Sequence, residues 1–294
     1  TQMCLKIKHP FSTAYHTRFP EYVSARMPIP VGAGYSFVRW FHKYSGKVMV
    51  PTPSMVEELK AKRFINLVSW TRGVDTELFH PSRRVEAGTA DDPFEGLPRP
   101  IFLNVGRVAV EKNIEAFVEL DLPGSKVVVG DGPALESLKK KYPEVRFLGA
   151  RFGEDLANYY ASADVFVFPS LTDTFGLVVL EAMASGTPVA AYEATGPKDV
   201  IPGSNAGTIT PIGGDLAAGA KACLELERDT CRTYAEGYSW RSVALAFLEN
   251  LQPLPTPERR RFWQKLRRKK KTWIDWEQFT DWMNQPEDTQ KKEK

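Results

Sequence analysis

Asp164-Val165-Phe166-Val167-Phe168, then a helix-length segment over residues 176–185, then Pro188-Val189-Ala190-Ala191 follow one another along the chain. The two outer runs are short, apolar and rich in β-branched or aromatic residues, which reads as strand. Their apolar residues are continuous rather than alternating, so both faces of each strand must be covered. Parallel sheets flanked by helices meet that requirement. Working outward, Ile101-Phe102-Leu103-Asn104-Val105 reads as another buried strand, followed by a helix over 111–120. Lys126-Val127-Val128-Val129 is the next strand and 134–141 the next helix. Val145-Arg146-Phe147-Leu148 and a helix over 154–163 close the gap. The alternation predicts a doubly wound α/β layer. Ligands of such layers collect at the carboxyl ends of the strands, so the informative loops follow Val105, Val129, Leu148 and Phe168.

Farther upstream, Lys47-Val48-Met49-Val50 and Leu67-Val68-Ser69-Trp70 read as strands around a helix over 54–62. Turn residues crowd residues 80–100 (Pro81, Gly88, Asp91, Asp92, Pro93, Gly96, Pro98, Pro100), marking a linker. A helix over 241–251 ends the body, and Pro253, Pro255 and Pro257 stop it. The expected division is therefore 1–80, a linker at 81–98, 99–251, and a tail at 252–294.

The 294 residues are 43% hydrophobic and 26% charged, an ordinary globular balance. Cys4, Cys223 and Cys231 form neither a disulfide framework nor a C-x-x-C metal pair, and the four histidines make no H-E-x-x-H pattern. The cysteine usage predicts a reducing, cytoplasmic setting, and no metal site is expected. The net charge of +3 is unevenly spread. Residues 255–294 hold 12 Lys/Arg against 7 Asp/Glu, a net +5, which leaves the rest at −2.

Chemistry concentrates in Asp173-Thr174-Phe175-Gly176-Leu177-Val178-Val179-Leu180-Glu181, which joins a strand to a helix. Asp173 or Thr174 suits the N-cap. The amides of Phe175, Gly176 and Leu177 would then point at the strand ends, where a helix N-terminus can hold a diphosphate. Glu181, two turns along, is spaced to accept hydrogen bonds from a ribose diol. The same residues also read as an ordinary cap and a solvated helix charge. Gly106-Arg107 follows the Val105 strand, and Lys112 falls in the first turn expected of the next helix. Two cations there would neutralise a leaving diphosphate, although each alone reads equally as a surface charge. Gly130-Asp131-Gly132 adds a tight loop, but Leu135 stands where a dinucleotide fingerprint needs its third glycine. Gly32-Ala33-Gly34 follows prolines and reads as a turn.

From His16 to Leu251 the chain resembles the retaining glycosyltransferases of family 4, particularly bacterial GDP-mannose-dependent α-mannosyltransferases acting on lipid acceptors. The shared elements are Tyr15-His16-Thr17, Gly73-Val74-Asp75, Gly106-Arg107 with Lys112, Gly130-Asp131-Gly132-Pro133, and Asp173 through Glu181 continuing to Gly186-Thr187-Pro188-Val189. The family's long motif usually begins with Glu. Asp173 keeps the charge but is a methylene shorter. The resemblance implies a GT-B fold of two Rossmann-like domains. By that resemblance the acceptor-side domain is expected within 1–80, without the first strand and glycine-rich loop usual in the family. The donor-binding domain spans 99–251.

By the same resemblance, Glu181 binds the ribose, Asp173 the sugar hydroxyls, and Phe175, Gly176 and Leu177 the sugar and phosphate through their amides. Arg107, beside Gly106, and Lys112 stabilise the departing diphosphate. The Ala150-Arg151-Phe152 loop meets the base. His16 projects from the other domain toward donor sugar and acceptor, unless it is simply a histidine satisfied at the interface. The implied donor is a nucleotide sugar, GDP-mannose before a UDP-sugar, with no cofactor and no metal, and the acceptor is a lipid or glycan. A donor-binding remnant without turnover, or another GT-B enzyme such as an epimerase, would share these motifs.

The tail departs from that pattern. Nine Lys/Arg between Arg259 and Lys271 precede Trp273, Trp276 and Trp282. Residues 258–282 suit an anionic membrane surface on the cytoplasmic face or a solvated extension. Nucleic acid is not expected, because the acidic body continues no basic surface.

Overall fold

A computed structural model of the protein describes residues 2–6, 9–24, 27–171, 173 and 175–251. The tail expected at 252–294, with its membrane-facing stretch at 258–282, and the capping role considered for Thr174 lie outside these residues.

The N-terminal part runs α1 (Gln2–Lys6), β1 (Ser12–Ala14), α2 (Phe19–Ser24), α3 (Val31–His42), β2 (Lys47–Val50), α4 (Pro53–Ala61) and β3 (Leu67–Ser69). The three strands form a parallel sheet in the order β1-β2-β3. Tyr15, Tyr35, Val38, Val48, Val50, Met55, Leu59 and Phe64 pack its core. Thr52 caps α4 by accepting from Met55 N–H at 3.3 Å, with Pro53 following where its missing N–H costs nothing. The glycine pair at 32–34 does not form the expected turn. It lies inside α3, which starts directly after Pro30. Its smallness serves packing, because a Cβ on Gly34 would come within 2.9 Å of Pro20 Cβ.

The C-terminal part begins with a 3-10 turn at Pro81–Arg83 and continues β4 (Ile101–Val105), α5 (Ile114–Val118), β5 (Ser125–Val129), α6 (Leu135–Lys141), β6 (Arg146–Phe147) and α7 (Gly153–Ser162). Then follow β7 (Val165–Phe168), α8 (Leu177–Ala184), β8 (Val189–Tyr192), α9 (Pro197–Val200), β9 (Gly207–Thr210), α10 (Leu216–Ala222), α11 (Arg228–Glu236) and α12 (Trp240–Asn250). The strands make one parallel sheet, β6-β5-β4-β7-β8-β9. Every residue of β4 and β7 is buried, as the unbroken apolar run of β7 and that of β4, interrupted only by Asn104, require. The chain leaves β4 toward β5 and β6, then returns to lay β7 on β4's other side. The order therefore reverses between β4 and β7, and a crevice opens there at the carboxyl ends.

One expected helix is broken. The stretch 111–120 divides into a 3-10 turn at Val110–Lys112 and the short α5, because Asn113 adopts a left-handed conformation with φ 53°. Asn accepts that region more readily than most residues. Lys112 thus sits in a turn ahead of the helix rather than in its first turn.

The last helix crosses back. Ser239 caps α12, and the helix then packs on the N-terminal sheet. Ser12 Oγ donates to Asn250 O at 3.0 Å, Lys47 Nζ to Glu249 O at 2.9 Å, and Trp70 Nε1 to Val243 O at 3.0 Å. Trp70 and Phe247 rings lie 5.1 Å apart. Val74 and Ser239 form a parallel bridge where the chain enters and leaves the C-terminal part.

Candidate functional site

Strands β4 and β7 pair over only two registers, Phe102 with Val165 and Leu103 with Phe166. Beyond them the buried Asn104 side chain donates to Val167 O at 2.9 Å, continuing the connection as the strands part. A cavity of about 310 Å³ lies at this divergence. Asn104 to Arg107 and Lys112 line one side, and Phe168 to Ser170, Asp173 and Phe175 to Val178 the other. Arg72 joins them from the segment after β3.

The loops around the cavity are fastened to each other. Lys112 Nζ lies 2.7 and 2.9 Å from the two Asp173 carboxylate oxygens, and Asn113 Nδ2 donates to Pro169 O at 3.1 Å. Asp173 therefore does not cap α8 as expected. Gly176 stands at the N-cap with φ 78°, a left-handed geometry natural to glycine, and no side chain caps the helix. The pull of Lys112 on Asp173 explains the difference. The Arg107 side chain is 65% exposed, with Nη1 3.7 Å from Glu111 Oε1, a surface pair that holds it weakly.

Behind Arg107, Gly106, Gly130 and Gly149 bring the loops after β4, β5 and β6 into close contact. Gly106 N–H donates to Val129 O at 3.0 Å and Gly130 N–H to Gly149 O at 2.8 Å. A Cβ on Gly130 (φ 149°) would stand 1.8 Å from Gly106 O. Only bare backbone fits there.

The remaining expected residues, Glu181, Arg151 and His16, do not line the cavity. Glu181 lies in the second turn of α8 and accepts from the buried Tyr160 hydroxyl at 2.9 Å. Burial raises its pKa, and the Tyr160 hydrogen bond lowers it by less. Arg151 follows Gly149, its Nε 3.6 Å from Asp155 Oδ2. His16 is half-buried, its ring 5.3 Å from that of Trp70, and Nδ1 has no hydrogen-bond partner among the described residues. Burial first, and the charge of Arg72 second, pull its pKa down to about 4. The imidazole is therefore neutral at physiological pH.

Four contributors escaped the sequence reading: Arg72, Asn104, Tyr160 and Ser170. Arg72 directly precedes Gly73-Val74-Asp75, and Asn104 is the lone polar residue of a buried strand. Either fact was a usable signal. Ser170 lies just past the end of β7, only 1% exposed, and its hydroxyl has no partner among the described residues. Nothing local marked Tyr160.

A family model described as "Glycosyl transferases group 1" matches residues 99–229. A GDP-mannose-dependent alpha-mannosyltransferase of Mycobacterium tuberculosis (strain CDC 1551 / Oshkosh) is 36% identical over 207 residues, covering 69% of this chain and 54% of the relative. The sulfoquinovosyl transferase SQD2 of Arabidopsis thaliana is 36% identical over 203 residues, 66% of this chain and 40% of that protein. The chain thus spans about half the length of the curated relatives it matches, or less. Among solved structures, the sucrose-phosphate synthase (tll1590) from Thermosynechococcus elongatus superposes with TM-score 0.67 at 23% identity, covering 84% of this chain and 68% of that one. Anabaena Alr3699/HepE in complex with UDP and glucose gives TM-score 0.66 at 18% identity, covering 84% and 72%. The likeness establishes the fold: α/β, with parallel sheets in the GT-B arrangement.

Proposed function

Residues 99–229 are a glycosyl transferases group 1 domain, and from that premise we propose that the chain moves a hexose, mannose in the first instance, from a nucleoside diphosphate sugar to a lipid or glycan acceptor with retention. One observation carries the reading. The crevice between β4 and β7 brings Gly106, Arg107, Lys112, Asp173, Phe175, Gly176 and Leu177 around a single cavity, although the sequence separates them into two distant groups. Gly106 and Gly176 leave bare backbone at its wall for a diphosphate to approach, and its cations meet the charge that grows on the leaving group.

The roles follow from position. Arg107 and the amides at the start of α8 hold the diphosphate, and Glu181, oriented by Tyr160, receives the ribose diol. Lys112 and Asp173 form a pair that must rearrange when a sugar hydroxyl binds Asp173, freeing Lys112 for the phosphates. Arg151 and its loop take the base, and His16 faces the sugar from the opposite sheet. Each group acts without metal or cofactor. GDP-mannose is proposed as donor because the Mycobacterium relative is named as GDP-mannose-dependent.

Among the described residues no helix is long and apolar enough to cross a membrane. We assign residues 258–282 to the cytoplasmic membrane surface, since cationic clusters with tryptophan favour anionic interfaces.

Thermal shift with GDP, UDP and ADP tests the donor site, because a ligand of the native state raises its melting temperature. GDP should give the largest shift, and it should persist with EDTA. Transfer from GDP-mannose to a lipid acceptor tests the activity. No shift with any of the three nucleotides would reject the reading.

A further inference from the structure

Of the described residues that line the cavity, Arg72 alone comes from the N-terminal side. Its segment is fixed at both ends: Trp70 donates to Val243 O at 3.0 Å, and Val74 N–H donates to Tyr238 O at 2.9 Å. We propose that Arg72 is a further anion-binding residue of this site, reaching across the crevice to the phosphate farther from the ribose. The proposal rests on the donor-site reading above.

The balance of charge around the cavity supports it. Arg72, Arg107 and Lys112 are its cations and Asp173 its carboxylate, and Lys112 already spends two hydrogen bonds on Asp173. Arg72 has no such partner: among the described residues it makes neither a hydrogen bond nor an ion pair. A guanidinium held at the wall of a cavity, with its five donors uncommitted, suits a phosphate's paired oxygens. The Ser170 hydroxyl adds an independent sign. It lines the same cavity, is 1% exposed and lacks a partner among the described residues. Buried hydroxyls are normally satisfied, and an oxygen of the same ligand would satisfy this one.

Arg72 also touches the chemistry of His16. Its charge is one of the two causes that keep the imidazole neutral. An anion seated on Arg72 cancels that repulsion, so His16 becomes more basic when the diphosphate is bound.

The test uses the full chain carrying Arg72→Gln or Arg72→Lys, with GDP and GMP as probes in calorimetry and circular dichroism as the check on folding. Arg72→Gln should weaken GDP about tenfold or more and GMP by less than about threefold, since hydrogen bonds to a charged group carry roughly 1.5–3 kcal/mol. Arg72→Lys, which keeps the charge but not the fork, should recover part of the loss. Titration of His16 by NMR, assigned with His16→Asn, should show its pKa rising on GDP binding in the wild type and not in Arg72→Gln. Unchanged GDP affinity in folded Arg72→Gln, or equal losses for GDP and GMP, would overturn the assignment. Failure of the wild type to bind GDP or UDP at all would overturn the donor-site reading, and the proposal with it.

Discussion

Glu181 shows how a single carboxylate is prepared by its surroundings. Tyr160 fixes one oxygen, and burial works against the charge. Glu181→Ala should weaken GDP by about 2 kcal/mol, the scale of a charge-assisted hydrogen bond. Calorimetry reads it directly, and wild-type affinity in the folded variant would remove the ribose role. His42 makes a prediction about stability instead. It is 6% exposed, with Nδ1 2.8 Å from Thr13 Oγ1, and burial lowers its pKa from 6.5 to about 4. Between those values the unfolded chain takes up a proton that the native ring refuses. Stability is therefore full above pH 6.5 and falls as pH drops toward 4, by about 1–2 kcal/mol at pH 5. His16 acts in the same direction. Melting temperatures measured from pH 7 to 5 should decline, and less steeply in His42→Asn. Parallel slopes would mean that another group governs the acid limb.

At the scale of elements, the row Gly106, Gly130 and Gly149 sets how closely the loops after β4, β5 and β6 can lie. Gly130→Ala would drive a methyl into Gly106 O. Backbone strain of this kind costs about 1–3 kcal/mol before any steric displacement, so the melting temperature should fall by at least about 2 °C. A scan matching the wild type would show that the loops can separate freely. Elements were legible in the sequence where burial leaves a plain mark. β4, β5, β7 and β8 lie within the sheet and carry apolar runs, broken only at Asn104 in β4 and opened by Ser125-Lys126 in β5. β9 escaped notice because Gly207-Thr208-Ile209-Thr210 forms an edge, only partly buried, and shows no such run. Helix α3 was hidden behind Pro28 and Pro30, which imitate a turn, and α11 buries only Cys231 and Ala235. The break at Asn113 was illegible for a different reason. It depends on Asn113 reaching Pro169 in a distant loop, a partner that local sequence does not reveal. The same limit applied to Asp173, whose cap role yielded to Lys112.

At the scale of the molecule, α12 belongs by sequence to the C-terminal part but packs against the first sheet. Phe247→Ala removes its ring from Trp70 and should cost about 1–3 kcal/mol. Calorimetric unfolding should then separate into two transitions, and proteolysis should first cut near residues 237–240. A single, equally cooperative transition would show that the helix is not what couples the two sheets. The bridge between Val74 and Ser239 has a mechanical consequence. The chain crosses between the halves twice, once going out and once coming back, and the two crossings are bonded side by side. A single strand would act as a tether and permit swinging and twisting alike. Two bonded strands behave as a door hinge, with one easy axis of rotation and stiffness about the others. Opening the crevice then carries Arg72 and His16 away from Arg107 along one arc, and each closure returns them to the same place.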